Sequence, residues 1–192
     1  MKTKQTFVCG YFAVMFILVF GACSKERTES AQSRGADGSS AVQEQRLTGP
    51  TDSFRFTVIN SGTAYSVSAG TATEGTVNIP AYYRPNADSE YLPVTKIGNE
   101  AFKGNKNILR ITIPSTVTEI EYNTFAYCTN LTSIIIPASV TAVGGYTFYG
   151  WTTSQTINIE GHASEASADA AWGSGEYNWR GSSNARIVYQ GQ

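Results

Sequence analysis

Residues 108–120 read Ile-Leu-Arg-Ile-Thr-Ile-Pro-Ser-Thr-Val-Thr-Glu-Ile, and residues 131–143 read Leu-Thr-Ser-Ile-Ile-Ile-Pro-Ala-Ser-Val-Thr-Ala-Val. Each position of the first stretch has its counterpart 23 positions further on. The same step joins Phe102, Phe125 and Phe148, then Val94, Val117 and Val140, then Ile97, Ile120 and Val143. Three apolar columns at one period mark a repeat array. Upstream, Val77-Asn78-Ile79-Pro80 carries the same strand piece, but Pro80 stands 34 positions before Pro114. The first unit therefore holds an insertion, placed at about residues 83–92. Downstream, Ile157-Asn158-Ile159 fits the strand once more, with Glu160 where proline stood, so the repeats are expected to run over residues 77–160.

Within a unit, Leu131, Ile134 and Ile136 share one side, because Ile134 and Ile136 alternate as strand residues do; Ser133 and Ile135 then face outward. A 23-residue period falls among leucine-rich repeats, in which one short strand per coil lines a parallel sheet and the return path closes the coil. The fold class expected is α/β: a short right-handed leucine-rich-repeat solenoid with a parallel sheet. Val140, Val143 and Phe148 are expected to fill the interior from the return path. On the sheet, Asn78, Thr112, Ile135 and Asn158 form one outward row with Arg110, Ser133 and Thr156 beside it, and this row is the candidate binding face.

The stretches IPSTVTEIEYNTFAYCTN (113–130) and LTSIIIPASVTAVGGYTFYG (131–150) resemble the repeats of BspA-like bacterial surface proteins of spirochaetes and oral bacteria. The flanks resemble the caps of that family. In residues 51–76, two alternating runs around Asn60-Ser61-Gly62 predict a β-hairpin cap. In residues 161–192, Ser164 is placed to cap a short helix through Trp172, and Ala185 to Tyr189 to form a last strand. An open solenoid end would expose its core and a bare strand edge, which is why caps are needed. Departures from the family pattern are Thr124 and Thr147 where Ala101 has alanine, and Asn105 and Trp151 where Cys128 has cysteine. They lead to an expectation of looser packing in the last coil. Cys128 itself is read as a buried, apolar-like thiol.

Residues 1–22 carry Lys2 and Lys4, an apolar run and small residues before Cys23, the pattern of a cleaved export signal. Gly21-Ala22-Cys23 resembles a bacterial lipobox with Phe20 in place of the usual leucine. That resemblance implies acylation of Cys23, a membrane anchor through the lipid, and a place on the outer membrane, surface-exposed or on its periplasmic face. From Ser24 to Pro50 the chain has no aromatic residue, so residues 23–50 are read as a disordered tether.

With 14 Lys and Arg against 15 Asp and Glu, the chain lacks the basic excess of a nucleic-acid binder. One His and three Cys, two of them at positions 9 and 23, do not assemble a metal site, and no cofactor is expected. His162 is the one imidazole, and no Gly-x-Ser-x-Gly elbow accompanies it. The spaced carboxylates Glu119 and Glu121, or Asp88 and Glu90, are read as charge on a solvated surface, Gly144-Gly145 as a turn, and Asn130-Leu131-Thr132 as no glycosylation site. The reading is non-enzymatic. An aromatic patch at Tyr82, Tyr83 and Tyr91, with Tyr122, Tyr146, Tyr149 and Trp151 on the return path, is a second candidate surface, although core or cap packing accounts for the same residues. Three functions stay open. The family resemblance implies a lipid-anchored adhesin that binds a host matrix protein, such as fibronectin or fibrinogen, or another bacterium, weakly and through many copies. The alternatives are an envelope component that self-associates and a carbohydrate-binding module.

Overall fold

The computed structural model describes residues 46–48, 53–71 and 74–191. The segment read as an export signal, Cys23 and most of the span read as a tether lie outside them. In chain order the described strands are β1 (Arg46–Thr48), β2 (Phe54–Ile59), β3 (Ala64–Ala69), β4 (Gly75–Asn78), β5 (Tyr82–Arg84), β6 (Leu92–Ile97), β7 (Ile108–Thr112), β8 (Glu119–Ile120), β9 (Ser133–Ile136), β10 (Ala142–Val143), β11 (Thr156–Glu160) and β12 (Arg186–Gln190). Among the described residues, one α-helix, α1 (Glu165–Trp172), precedes β12.

The Ile-x-Ile-Pro pieces build the first wall of the coil. Strand β4 pairs with β7, and β11 pairs with both β9 and β12, all parallel. Ile134 lies opposite Ile157 and Val77 opposite Ile111, so the inward residues stack in columns, all buried. Strand β7 runs beside β9 without a hydrogen-bonded ladder between them. Proline ends three of these pieces, at Pro80, Pro114 and Pro137, because it has no N–H to give the ladder. The chain turns there: Val117 N donates to Pro114 O at 3.1 Å, and Val140 N to Pro137 O at 3.0 Å.

The return path forms a second sheet, where the sequence pointed only to a connection. Strands β3, β6, β8 and β10 are parallel neighbours, with Ile97 opposite Ile120 and Ile120 opposite Val143. Two-residue strands offer no alternation from which to recognise them. The hairpin β2–β3 covers the first edge of this second wall, since β3 pairs with β6. Its turn places Asn60, Ser61 and Gly62 at positive φ, the region these turn residues tolerate. The insertion is a second hairpin, β5–β6, with Tyr83 opposite Leu92. Arg46–Thr48, inside the span read as tether, are a strand: β5 offers them a parallel ladder, which supplies the backbone partners that their own polar sequence does not announce.

Inside, the three phenylalanines stack at one ring per coil, Phe102 on Phe125 at 5.7 Å and Phe125 on Phe148 at 6.0 Å. The expected loosening of the last coil does not occur. Thr147 is buried and its hydroxyl donates to Gly144 O and Glu121 O, as that of Thr124 does to Glu121 O and Gly98 O. Trp151, also buried, sends Nε1 to Phe125 O at 2.8 Å, the role Cys128 Sγ plays toward Phe102 O one coil earlier. Asn105, the remaining departure, accepts from Asn107 N and Ile108 N through its Oδ1, while Thr124, Thr147 and Trp151 each give a hydrogen to a carbonyl of the preceding coil. Buried Gln155 does the same, bonding Cys128 O and Leu131 O at 2.9 Å each.

At the far end, Ser164 accepts from Ser167 N at 3.3 Å and starts α1 as a capping box. Trp172 Nε1 reaches Val140 O at 3.2 Å, and Trp179 stands edge-on against Phe148 while its Nε1 donates to Asp169 Oδ1 at 2.9 Å. Two tryptophans thus close the phenylalanine column with their indole N–H groups satisfied.

Candidate binding surfaces

On the first wall, the register sets Asn78 beside Thr112, Arg110 beside Thr76, Ile135 beside Asn158, and Ser133 beside Thr156. The predicted row is therefore split between two ladders, with the β7–β9 junction in its middle. Asn78, Arg110, Thr112, Ser133 and Ile135 are exposed, whereas Thr156 and Asn158 are half-buried and Asn158 Nδ2 donates to Ile134 O. Leu109 joins this exposed surface without having been singled out. Its neighbours Ile108 and Ile111 point inward, so the spacing leaves Leu109 outside, an apolar residue at a position that burial does not require.

The tyrosines of the insertion separate. Tyr83 belongs to the core: it is buried, stacks on Phe56 at 3.8 Å and meets Tyr65 edge-on. Burial raises its phenol above the ordinary value of 10.0. Tyr82 and Tyr91 are half-buried under guanidinium groups, Arg46 over both rings and Arg84 over Tyr91 at 4.4 Å. These cation–π contacts bind β1 to the insertion.

Across the outer face of the second wall, Lys96 Nζ lies 3.0 Å from Glu119 and 3.2 Å from Glu121, and Glu121 also accepts from Asn99 N at 2.6 Å. The hydrogen bond that the Lys96 ammonium donates to Glu119 is the largest cause holding that ammonium above its ordinary range, against burial, which lowers it. Both carboxylates of this pair are thus engaged by one cation. Two shallow grooves meet here, sharing Asn99 and Glu121; the larger, about 430 Å³, ends at Tyr122 and Gly144.

Beyond that groove lies a chain of edge-to-face tyrosines. Tyr122 meets Tyr146, Tyr146 meets Tyr149 and Tyr177, and Tyr149 meets Tyr127, with centroids 5.2 to 5.7 Å apart. Three of the predicted set, Tyr122, Tyr146 and Tyr149, are in it, while Trp151 is core. Tyr127 and Tyr177 were missed: Tyr127 sits one coil before Gly150, and Tyr177 arrives from the cap. Cys128 is buried and desolvation pushes its thiol up to about 11, so it is an inert packing group. His162 packs edge-on against Trp172.

The chain matches the family described as BspA type Leucine rich repeat region (6 copies) over residues 78–174. No curated protein matches it. Among solved structures, a leucine-rich repeat protein from Bacteroides ovatus ATCC 8483 is 29% identical over 57% of this chain and 30% of its own, with a TM-score of 0.48. A leucine rich cell surface protein from Faecalibacterium prausnitzii A2-165 is 24% identical over 73% of this chain and 42% of its own, with a TM-score of 0.50. The leucine rich repeat protein of T. pallidum is 15% identical over 58% of this chain and 71% of its own, with a TM-score of 0.35. The chain spans less than half the length of the first two. With its 23-residue columns folded into the coils of a leucine-rich-repeat solenoid, and with that match across half its length, this chain belongs to the BspA-type leucine-rich repeat family.

Proposed function

We propose that this chain is a non-enzymatic, cell-surface interaction protein that holds a protein partner on the outward face of its first wall. The observation that carries the reading is the pair Leu109 and Ile135, each 54% exposed on strands whose other outward residues are Arg110, Thr112 and Ser133. Apolar anchors in a polar surround are the pattern of a protein interface. The Faecalibacterium protein's description as a cell-surface protein supports the location. Acylated Cys23 would hold the domain at the outer membrane, and a host matrix protein, such as fibronectin or fibrinogen, or a second bacterium's surface would be the partner. A standard interface takes about 800 Å² from each side. Five short strands offer little more, so single contacts are weak and display of many copies on a membrane strengthens them.

The test shaves intact cells with a protease and measures adhesion to immobilised fibronectin and fibrinogen. Loss of the protein while a periplasmic control survives, with adhesion lowered in Leu109→Asp/Ile135→Asp, supports the reading. Protection of the protein, or adhesion unchanged in the variant, refutes it. One observation favours a second reading, a self-associating envelope component: β12 pairs only with β11 among the described strands and leaves a sheet edge. Sedimentation that shifts with concentration would support it.

A further inference from the structure

The tyrosine chain calls for an explanation that packing does not provide. Tyr122, Tyr127 and Tyr177 are 44%, 46% and 69% exposed, yet they belong to one continuous ring network. Two members occupy a backbone region hostile to bulky side chains. Tyr127 has φ 59°, and its counterparts one coil before and after are Gly104 and Gly150, both also at positive φ. Tyr146 has φ 56°, where the preceding coils place Asn123 and Glu100. A left-handed tyrosine carries a steric cost that glycine avoids, and such strain gathers where a side chain serves binding. The surroundings are also shaped to the rings: a β-carbon built at Gly150 would stand 2.7 Å from Tyr127 Cδ1, and one at Gly181 would stand 2.9 Å from Tyr146 Cδ1.

We propose that Tyr122, Tyr127, Tyr146, Tyr149 and Tyr177 form a binding surface for a neutral carbohydrate, distinct from the protein-binding face of the first wall. The C–H face of a sugar ring is apolar and weakly positive and suits the negative face of an aromatic ring, while the phenol edges meet its hydroxyls. The groove that ends at Tyr122 adds carboxylate acceptors from Glu119 and Glu121. Hydroxyl-rich ligands donate to such acceptors. A proline-rich segment, the other common guest of aromatic surfaces, accepts phenol hydrogens on its carbonyls but has few N–H groups to give the carboxylates of the groove. Charge narrows the class further. Lys96 and Lys103 are engaged by Glu119, Glu121 and Glu100, and Glu176 stands near Tyr146, so nothing in this cluster attracts an anionic sugar.

The test presents the full-length chain to an array of neutral and sialylated oligosaccharides, with a proline-rich decapeptide spotted alongside. Binding to neutral glycans is expected, and it should fall at least tenfold in Tyr127→Gly/Tyr177→Ala. Because glycine relieves the strain at position 127, the thermal midpoint of the single variant Tyr127→Gly should not drop, which separates lost binding from lost fold. The variant Leu109→Asp/Ile135→Asp should keep its glycan binding even where adhesion to protein is lost. No binding to any neutral glycan, binding confined to sialylated glycans or to the peptide, or binding unchanged in the tyrosine variant would each overturn the proposal.

Discussion

Replacing Phe125 probes the axis of the molecule, because it is the central ring of the column and touches both neighbours. It has no exposed surface. Deleting a buried phenylalanine to alanine costs about 3–5 kcal/mol, a large part of a typical domain's stability of about 5–15 kcal/mol. The milder Phe→Leu change, at about 1–2 kcal/mol by the same cavity reasoning, keeps the chain folded and makes a double-mutant cycle possible. Phe102 and Phe125 are in contact, as are Phe125 and Phe148, so each pair of leucine variants should show a coupling of about 0.5–1.5 kcal/mol. Phe102 and Phe148 have Phe125 between them, and their effects should add within about 0.5 kcal/mol. Urea unfolding at constant m measures all six variants, three single and three double. Solenoid stability passes from coil to coil through nearest neighbours. If Phe102 and Phe148 couple as strongly as adjacent rings, or if Phe125→Leu costs no more than an exposed substitution, the stacked column is not what joins the coils.

Other consequences follow from individual contacts. Burial keeps the Cys128 thiol protonated to about 11, against an ordinary value of 9.0, so between those pH values the unfolded chain loses a proton that the folded chain retains. The stabilisation is complete below pH 9 and is lost as pH rises toward 11, by about 3 kcal/mol; the difference in alkaline unfolding between wild type and Cys128→Ala measures it, and parallel curves would contradict it. Trp151→Phe removes the indole donor from Phe125 O and should lower stability by about 1–2 kcal/mol in denaturant titration, even though an aromatic ring is kept. Ser164→Ala deletes the cap of α1 at a cost of about 1 kcal/mol, visible as faster hydrogen exchange at Ser167 N and Ala168 N; unchanged protection there would mean that the tryptophan contacts alone hold the helix.

The repeat was legible because burial forces it. Each coil needs an apolar side chain at the same place, so Ile134 and Ile157, or Phe102, Phe125 and Phe148, recur at one interval. Strand direction, the proline stops, the hairpin turn at Asn60-Ser61-Gly62 and the Ser164 cap were likewise written in local chemistry. Local rules do not say what one coil presents to the next. The ladder between β8 and β10, the partnership of β1 with β5, and the burial of Tyr83 against Phe56 depend on residues brought together by coiling. Thr147 and Trp151 looked like flaws in the pattern because a sequence shows residue type but not the carbonyl waiting one coil back. The tyrosine surface is the same case. Its members come from three different turns, and tertiary structure alone set Tyr177 against Tyr146 and placed two of the five rings on a left-handed backbone. Sequence determined the period and the interior through hydrophobic burial; the surfaces were decided by which turns the coiling made neighbours.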